Sequence, residues 1–182
     1  MLKDFNITPL EYQTTKPYPH MYQDDILDEK VALQIQQEIL DLPDSDFDRY
    51  DNPFEQKFTL RDKEKYPPQL KLLMNYLTSE DFVKKLSIFV GYELITDPTK
   101  NFWGVHKYRQ SDYLDIHVDA GRHPKTQQKK QVTLGLYLSK NWDPSYGCEL
   151  EIWEGDNCMK DNAKIYKCIN KIEPKFNRLI IF

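Results

Sequence analysis

The chain has 182 residues, 40% of them hydrophobic and 13% aromatic, with a mean hydropathy of −0.73. That is enough apolar and aromatic side chain for one domain with a core, and it excludes a disordered chain. A net charge of −4, with 30% charged residues and only short apolar runs, gives no signal for nucleic-acid binding, for a polybasic membrane surface or for a bilayer-spanning helix. The first residues, MLKDFNITPLEYQ, lack an apolar leader core, and the cysteines Cys148, Cys158 and Cys168 are odd in number without metal-type spacing. They read as reduced thiols, and a cytoplasmic location is expected.

Residues 1–20 are punctuated by proline and are expected as extended chain or loop. From Asp24 to Leu42 the apolar positions Ile26, Leu27, Val31, Leu33, Ile35, Ile39, Leu40 and Leu42 recur at helical spacing, ended by Pro43. The acidic run 41–57 reads as a solvated loop, and its carboxylate-rich part 41–51 lacks the glycine and terminal glutamate spacing of a calcium loop. A second helix is expected after Pro67-Pro68, on Leu70, Leu72, Leu73, Tyr76 and Leu77. A third is expected over Phe82 to Val90, with Ser79 as N-cap and Gly91 as its stop.

After Gly91 the apolar period changes to two. Strands are expected at 92–95, 102–109, 113–118, 131–139, 149–154, 165–169 and 178–182, separated by turn residues at 97–98, 110–112, 143–147, 154–157 and 173–174. Helices followed by short antiparallel strands indicate an α+β fold, and a barrel or double-sheet jelly roll would limit the exposed edges. The expected organisation is one domain over residues 1–182, with a helical part at 20–91 and a β-core at 92–182.

The chemistry concentrates around Tyr113-Leu-Asp-Ile-His117-Val-Asp119. Residues two apart on a strand share a face, so the His117 imidazole and the Asp119 carboxylate are expected to converge on one metal ion. That supplies two members of a 2-His-1-carboxylate iron site. With four His and so many Asp in the chain, one H-x-D step is close to a chance event, so its meaning depends on its flanks. In 131–139, Val132, Leu134, Leu136 and Leu138 form one face, while Thr133, Gly135, Tyr137 and Ser139 form the other. The second face suits the lining of a cavity, with Gly135 leaving room for a ligand near the backbone. His106 and Tyr108 share a face immediately upstream. His123, in a turn before Pro124, is as suited to a structural role as to a substrate contact; His20 reads as a packing residue. No nucleophile elbow, P-loop or dinucleotide glycine fingerprint is present, and six glycines are too few for such designs.

These residues resemble the Fe(II)/2-oxoglutarate-dependent oxygenase superfamily, specifically its prolyl 4-hydroxylase-like group. The resemblance runs from Pro17-Tyr-Pro-His-Met-Tyr-Gln-Asp-Asp through the helix at 82–91 and Trp103-Gly-Val-His-Lys-Tyr108-Arg. It continues through Tyr113–Asp119 with Arg122-His123-Pro124, then 132–139 with Asn141-Trp142-Asp143-Pro144, Gly147-Cys-Glu-Leu-Glu-Ile-Trp153, and Ile172-Glu-Pro174 onward to Phe182. It implies a double-stranded β-helix with helices packed on one sheet. It also implies that His117 and Asp119 are iron ligands, that Tyr137 hydrogen-bonds a carboxylate of 2-oxoglutarate and that Tyr108 lines the same pocket. His106, Thr133, Gly135 and His123 are further candidates for the pocket lining.

The implied reaction is oxidative decarboxylation of 2-oxoglutarate coupled to hydroxylation of an unactivated C–H bond, with a prolyl residue of a protein or peptide as the leading expectation and ascorbate as an optional co-reductant. Alternatives are hydroxylation of a small metabolite, sugar or nucleotide, and a non-catalytic cupin-like binding module. Two departures stand out. Cys148 replaces a glycine of the pattern, and no histidine follows position 123 to serve as the third iron ligand. The pattern's distal histidine and its basic 2-oxoglutarate partner are therefore expected beyond Phe182, with the chain as given lacking its last strands.

Overall fold

The computed structural model describes residues 2–97, 104–119, 121–156 and 164–182. In chain order the elements are α1 (Pro9–Thr14), β1 (Met21–Gln23), α2 (Glu29–Leu40), β2 (Asp48–Asn52), β3 (Glu55–Leu60), α3 (Pro68–Leu77), α4 (Glu80–Val90), β4 (Val105–Lys107), β5 (Tyr113–Leu114), β6 (Leu134–Tyr137), β7 (Leu150–Gly155), β8 (Ile165–Ile172) and β9 (Arg178–Ile181). Helices beside antiparallel sheets make this an α+β architecture.

The three expected helices are present, and their ends have local causes. Asp28 caps α2 by accepting from the amides of Lys30 and Val31, and Ser79 caps α4 through the Phe82 amide. Gly91 stops α4 in the left-handed conformation, at φ 88°. The first turn of α3 is capped from outside: Glu38 on α2 accepts from the amides of Gln69 (2.9 Å) and Leu70 (3.3 Å). One carboxylate thus satisfies two open donors of a neighbouring helix and fixes how the two helices meet.

Three expectations are corrected. Residues 1–20 are not all irregular: Thr8 and Glu11 form a reciprocal capping box that starts α1. The acidic run 41–57 is irregular only up to Phe47; beyond it Asp48–Asn52 pairs in antiparallel register with Glu55–Leu60. The Asn52 side chain accepts from the amides of Phe54 and Glu55 and closes that hairpin. Residues 92–95 form no strand, and within the described residues the expected strands at 102–109, 113–118 and 131–139 are confined to β4, β5 and β6. Phe102 and Trp103 lie outside the described residues, as does Cys158.

The described strands form three sheets. One has the order β1-β9-β6, the second β2-β3-β4 with β5 also on β3, and the third is the β7-β8 pair. Strand β9 is the hinge of the packing. Leu179 and Ile181 face the main core, with Ile26, Leu27, Ile35, Leu70, Leu73, Phe82, Leu86 and Phe89 from the helical layer. Ile180 points the other way, to Ile152 and Ile172 on the β7-β8 sheet. All four residues of β9 are buried, which explains its unbroken apolar run Leu-Ile-Ile. Just before it, Asn177 (φ 61°) ties the chain's two halves together. Its side-chain amide accepts from Leu27 N at 3.0 Å and donates to Leu27 O at 2.9 Å.

Candidate functional site

The His117–Asp119 segment is not a strand. Strand β5 ends at Leu114, because Asp115 turns its carboxylate onto the following amide (Ile116 N, 2.8 Å) while its own amide donates to the Phe54 carbonyl. Convergence of the two side chains is achieved by hydrogen bonding instead of strand alternation. The Asp115 carbonyl accepts from His117 Nδ1 at 2.7 Å. That bond orients the ring with Nε2 towards Asp119 Oδ1, 3.3 Å away. Two donor atoms bound at right angles to one metal ion, each at about 2.1 Å, lie about 3 Å apart, so this spacing fits a shared ion.

The carboxylate of Asp119 is divided between two tasks. Its Oδ2 accepts from Lys130 Nζ at 2.6 Å and from Thr133 Oγ1 at 2.7 Å, which leaves Oδ1 facing His117. The His117 imidazole first, then Lys130 and Thr133, hold the Asp119 carboxyl well below the usual carboxylate range. Asp119, in return, raises the basicity of His117, as does the Asp115 carbonyl. Both side chains stay accessible to solvent, at 46% and 34% exposure. Thr133, a candidate lining residue, therefore acts as a support for the carboxylate. Its backbone also pairs in both directions with Phe182 (2.7 and 3.1 Å), which couples the site to the last strand. Lys130 was not singled out in the sequence; its signal was only a basic residue two before the Val132 strand.

His106 on β4 is paired across the sheet with Thr59 on β3. Its ring reaches solvent yet is crowded on its other sides, and desolvation, followed by the Lys57 ammonium, pushes it down to about 4. It is thus neutral at pH 7 and able to accept a hydrogen bond. Tyr108 and Tyr137 both keep neutral hydroxyls, pushed up to about 12 by burial. Each senses the Cys148 thiol, and Tyr108 senses Tyr137, so the two phenols and this cysteine gather in one neighbourhood.

Two candidates are placed elsewhere by their contacts. Gly135 lies opposite Ile180, and a Cβ added there would come within 2.9 Å of that side chain; the room over Gly135 is filled by Ile180. His123 is 4% exposed. Its Nδ1 accepts from the amides of Lys125 and Thr126, and its Nε2 lies 3.5 Å from Asp97, so it organises the 123–128 turn. Besides Lys130, sequence reading missed Glu55 and Lys57 on β3. Both charges act on His106, yet they were hidden in a run read as a solvated loop.

Among the described residues, no group of three His, Cys, Asp or Glu side chains is placed to hold a metal ion. His117 and Asp119 fit as two ligands, and the described residues supply no third. Among the described residues, no helix is long and apolar enough to cross a membrane. No curated protein matches this chain. Residues 103–182, which contain Tyr108, His117, Asp119 and Tyr137, match the family model of the 2OG-Fe(II) oxygenase superfamily.

Proposed function

We propose that this protein is an Fe(II)- and 2-oxoglutarate-dependent dioxygenase of the prolyl 4-hydroxylase-like group, built as a single double-stranded β-helix domain with helices on one sheet. Its reaction is hydroxylation of an unactivated C–H bond, with a prolyl residue of a protein or peptide as substrate. The observation that carries this reading is the pairing of His117 Nε2 with Asp119 Oδ1 at 3.3 Å, in the stretch that the family model matches. When bound, Fe(II) supplies oxygen activation coupled to 2-oxoglutarate decarboxylation.

The chain's own residues then have defined tasks. His117 and Asp119 hold the ion. The Asp115 carbonyl keeps the His117 ring in the tautomer that presents Nε2. Lys130 and Thr133 keep the carboxylate ionised and turned, so that only Oδ1 is offered. The neutral hydroxyls of Tyr137 and Tyr108 are donors suited to a carboxylate of the cosubstrate. A non-catalytic binding module on the same fold is the second reading, favoured by the lack of a third donor among the described residues.

The test is Fe(II)-dependent succinate release from 2-oxoglutarate, with Mn(II) binding followed in parallel by electron paramagnetic resonance. His117→Ala and Asp119→Ala are each expected to lose metal binding and turnover by about a hundredfold or more, since even outer partners of a metal site are worth 10–100-fold. Unchanged succinate release in either variant would sink the metal assignment. Metal binding without succinate release in the unaltered protein favours the binding module. Tyr137→Phe is expected to raise the apparent KM for 2-oxoglutarate by an amount equivalent to about 1.5–3 kcal/mol, the worth of one hydrogen bond to a charged group. An unaltered KM removes Tyr137 from the pocket.

A further inference from the structure

The sheet of β2, β3, β4 and β5 has two faces of opposite design. On one, the guanidinium groups of Arg49 and Arg109 lie 4.7 and 4.5 Å from the ring centre of Phe58, and the ion pairs Arg49–Asp112, Lys107–Asp44 and Arg109–Asp44 balance the charge. On the other, Glu55, Lys57 and Thr59 alternate along β3, with His106 directly opposite Thr59. Lys57 is only 8% exposed and Thr59 only 4%. A strand face turned into the protein ordinarily carries apolar residues. This one carries an ammonium, a carboxylate and a hydroxyl.

Stability alone does not account for that choice. Lys57 Nζ lies 2.6 Å from Glu55 Oε2, and a buried ion pair rarely stabilises more than packed apolar side chains would. The Thr59 hydroxyl oxygen is buried without a hydrogen-bond partner among the described residues, a state that protein interiors avoid. The location supplies the reason. With β2 on its other edge, β3 pairs with both β4 and β5, so that Thr59 lies opposite His106 and Glu55 opposite Leu114, just before the His117–Asp119 segment. The pair thus sits on the strand that joins His106 to the segment carrying His117 and Asp119, and the charges of both residues act on the His106 ring.

We propose that Lys57, assisted by the Thr59 hydroxyl, binds a carboxylate of 2-oxoglutarate, with Glu55 as an internal counter-ion that the ligand displaces. This rests on the reading of His117 and Asp119 as the iron pair. An ammonium has three donors and Glu55 occupies one side of it. Exchanging one carboxylate for another keeps the local charge balanced, and Glu55, whose side chain retains 22% exposure, has access to solvent when released. The ligand would also give Thr59 the partner it lacks among the described residues.

The experiment is equilibrium dialysis of labelled 2-oxoglutarate against the Mn(II)-loaded protein, with Mn(II) binding measured separately by electron paramagnetic resonance. Lys57→Met is expected to weaken 2-oxoglutarate binding about tenfold or more, and Thr59→Val about threefold, as befits the loss of a charged and a neutral hydrogen bond. Glu55→Gln removes the competitor and is expected to tighten binding severalfold, an outcome that a merely structural ion pair would not produce. Should Lys57→Met fail to fold, the paired Lys57→Met/Glu55→Gln variant leaves no lone buried charge and carries the same expectation. Wild-type affinity in the Lys57 and Glu55 variants, with Mn(II) bound normally, overturns the assignment of Lys57 while the iron reading stands. Equal weakening by Glu55→Gln and Lys57→Met overturns it too, since both would then act through the fold. Failure of the unaltered protein to bind both Mn(II) and 2-oxoglutarate overturns the iron reading, and this inference with it.

Discussion

Strand β9 and the segment 115–119 are ordered by opposite means. In β9 every residue is buried, and its backbone is paired on both sides, with β1 and with β6. Residues 115–118 are exposed and Asp119 is half-buried, and the segment has no ladder partners among the described residues; it is held by hydrogen bonds to Asp115 and Asp119. The difference separates two duties. Apolar burial on β9 holds the helical layer to the sheets. At the candidate site, polar contacts aim two side chains without contributing much to the core. Substitutions in the first region should therefore move stability, and substitutions in the second should move ligand binding.

The largest expected break comes from Ile181→Ala. Ile181 is fully buried in the main core, so its truncation is expected to cost about 2–5 kcal/mol, read from the urea midpoint. A loss below ~1 kcal/mol would mean that β9 is not the anchor. His117→Ala is the counterpart: its melting transition should stay within about 0.5 kcal/mol of the parent while metal binding disappears. Next comes Gly135→Ala, which decides to which region that glycine belongs. Its added methyl meets Ile180 at 2.9 Å, so a loss of about 1–3 kcal/mol is expected, with partial recovery in Gly135→Ala/Ile180→Val. If stability holds and 2-oxoglutarate binding falls, Gly135 lines the site after all.

The smallest effect concerns Asp24, hydrogen-bonded to the Arg178 guanidinium, which also lies 4.4 Å from the Tyr22 ring centre. That hydrogen bond holds the Asp24 carboxyl below its ordinary 3.8. The pair's contribution is then complete above about pH 4 and is lost as pH falls through the lower folded-state value. Because Asp24 is 45% exposed, the contribution is on the order of 1 kcal/mol or less. Asp24→Asn should differ from the parent by that amount at pH 7 and converge with it as pH falls below the folded-state value. A difference independent of pH would show that packing around Arg178, not charge, matters there.

Much of this was legible in the chain itself. Spacing of Val31, Ile35 and Ile39, a capping serine at 79 and a stopping glycine at 91 determined three helices, because these signals act within a few residues. His117 and Asp119 were legible as a pair because only two positions separate them. Tertiary structure decided the rest. The β2-β3 hairpin was masked by its acidic composition, although Asn52-Pro53 marked its turn; its strands are stabilised by β4 and β5, which come much later in the chain. Lys57 reached the site through that same pairing. Gly135 passed from ligand space to core because Ile180 arrives from 45 residues away. Local propensity is written in neighbouring residues, whereas the surroundings of a side chain depend on which distant strands lie beside it.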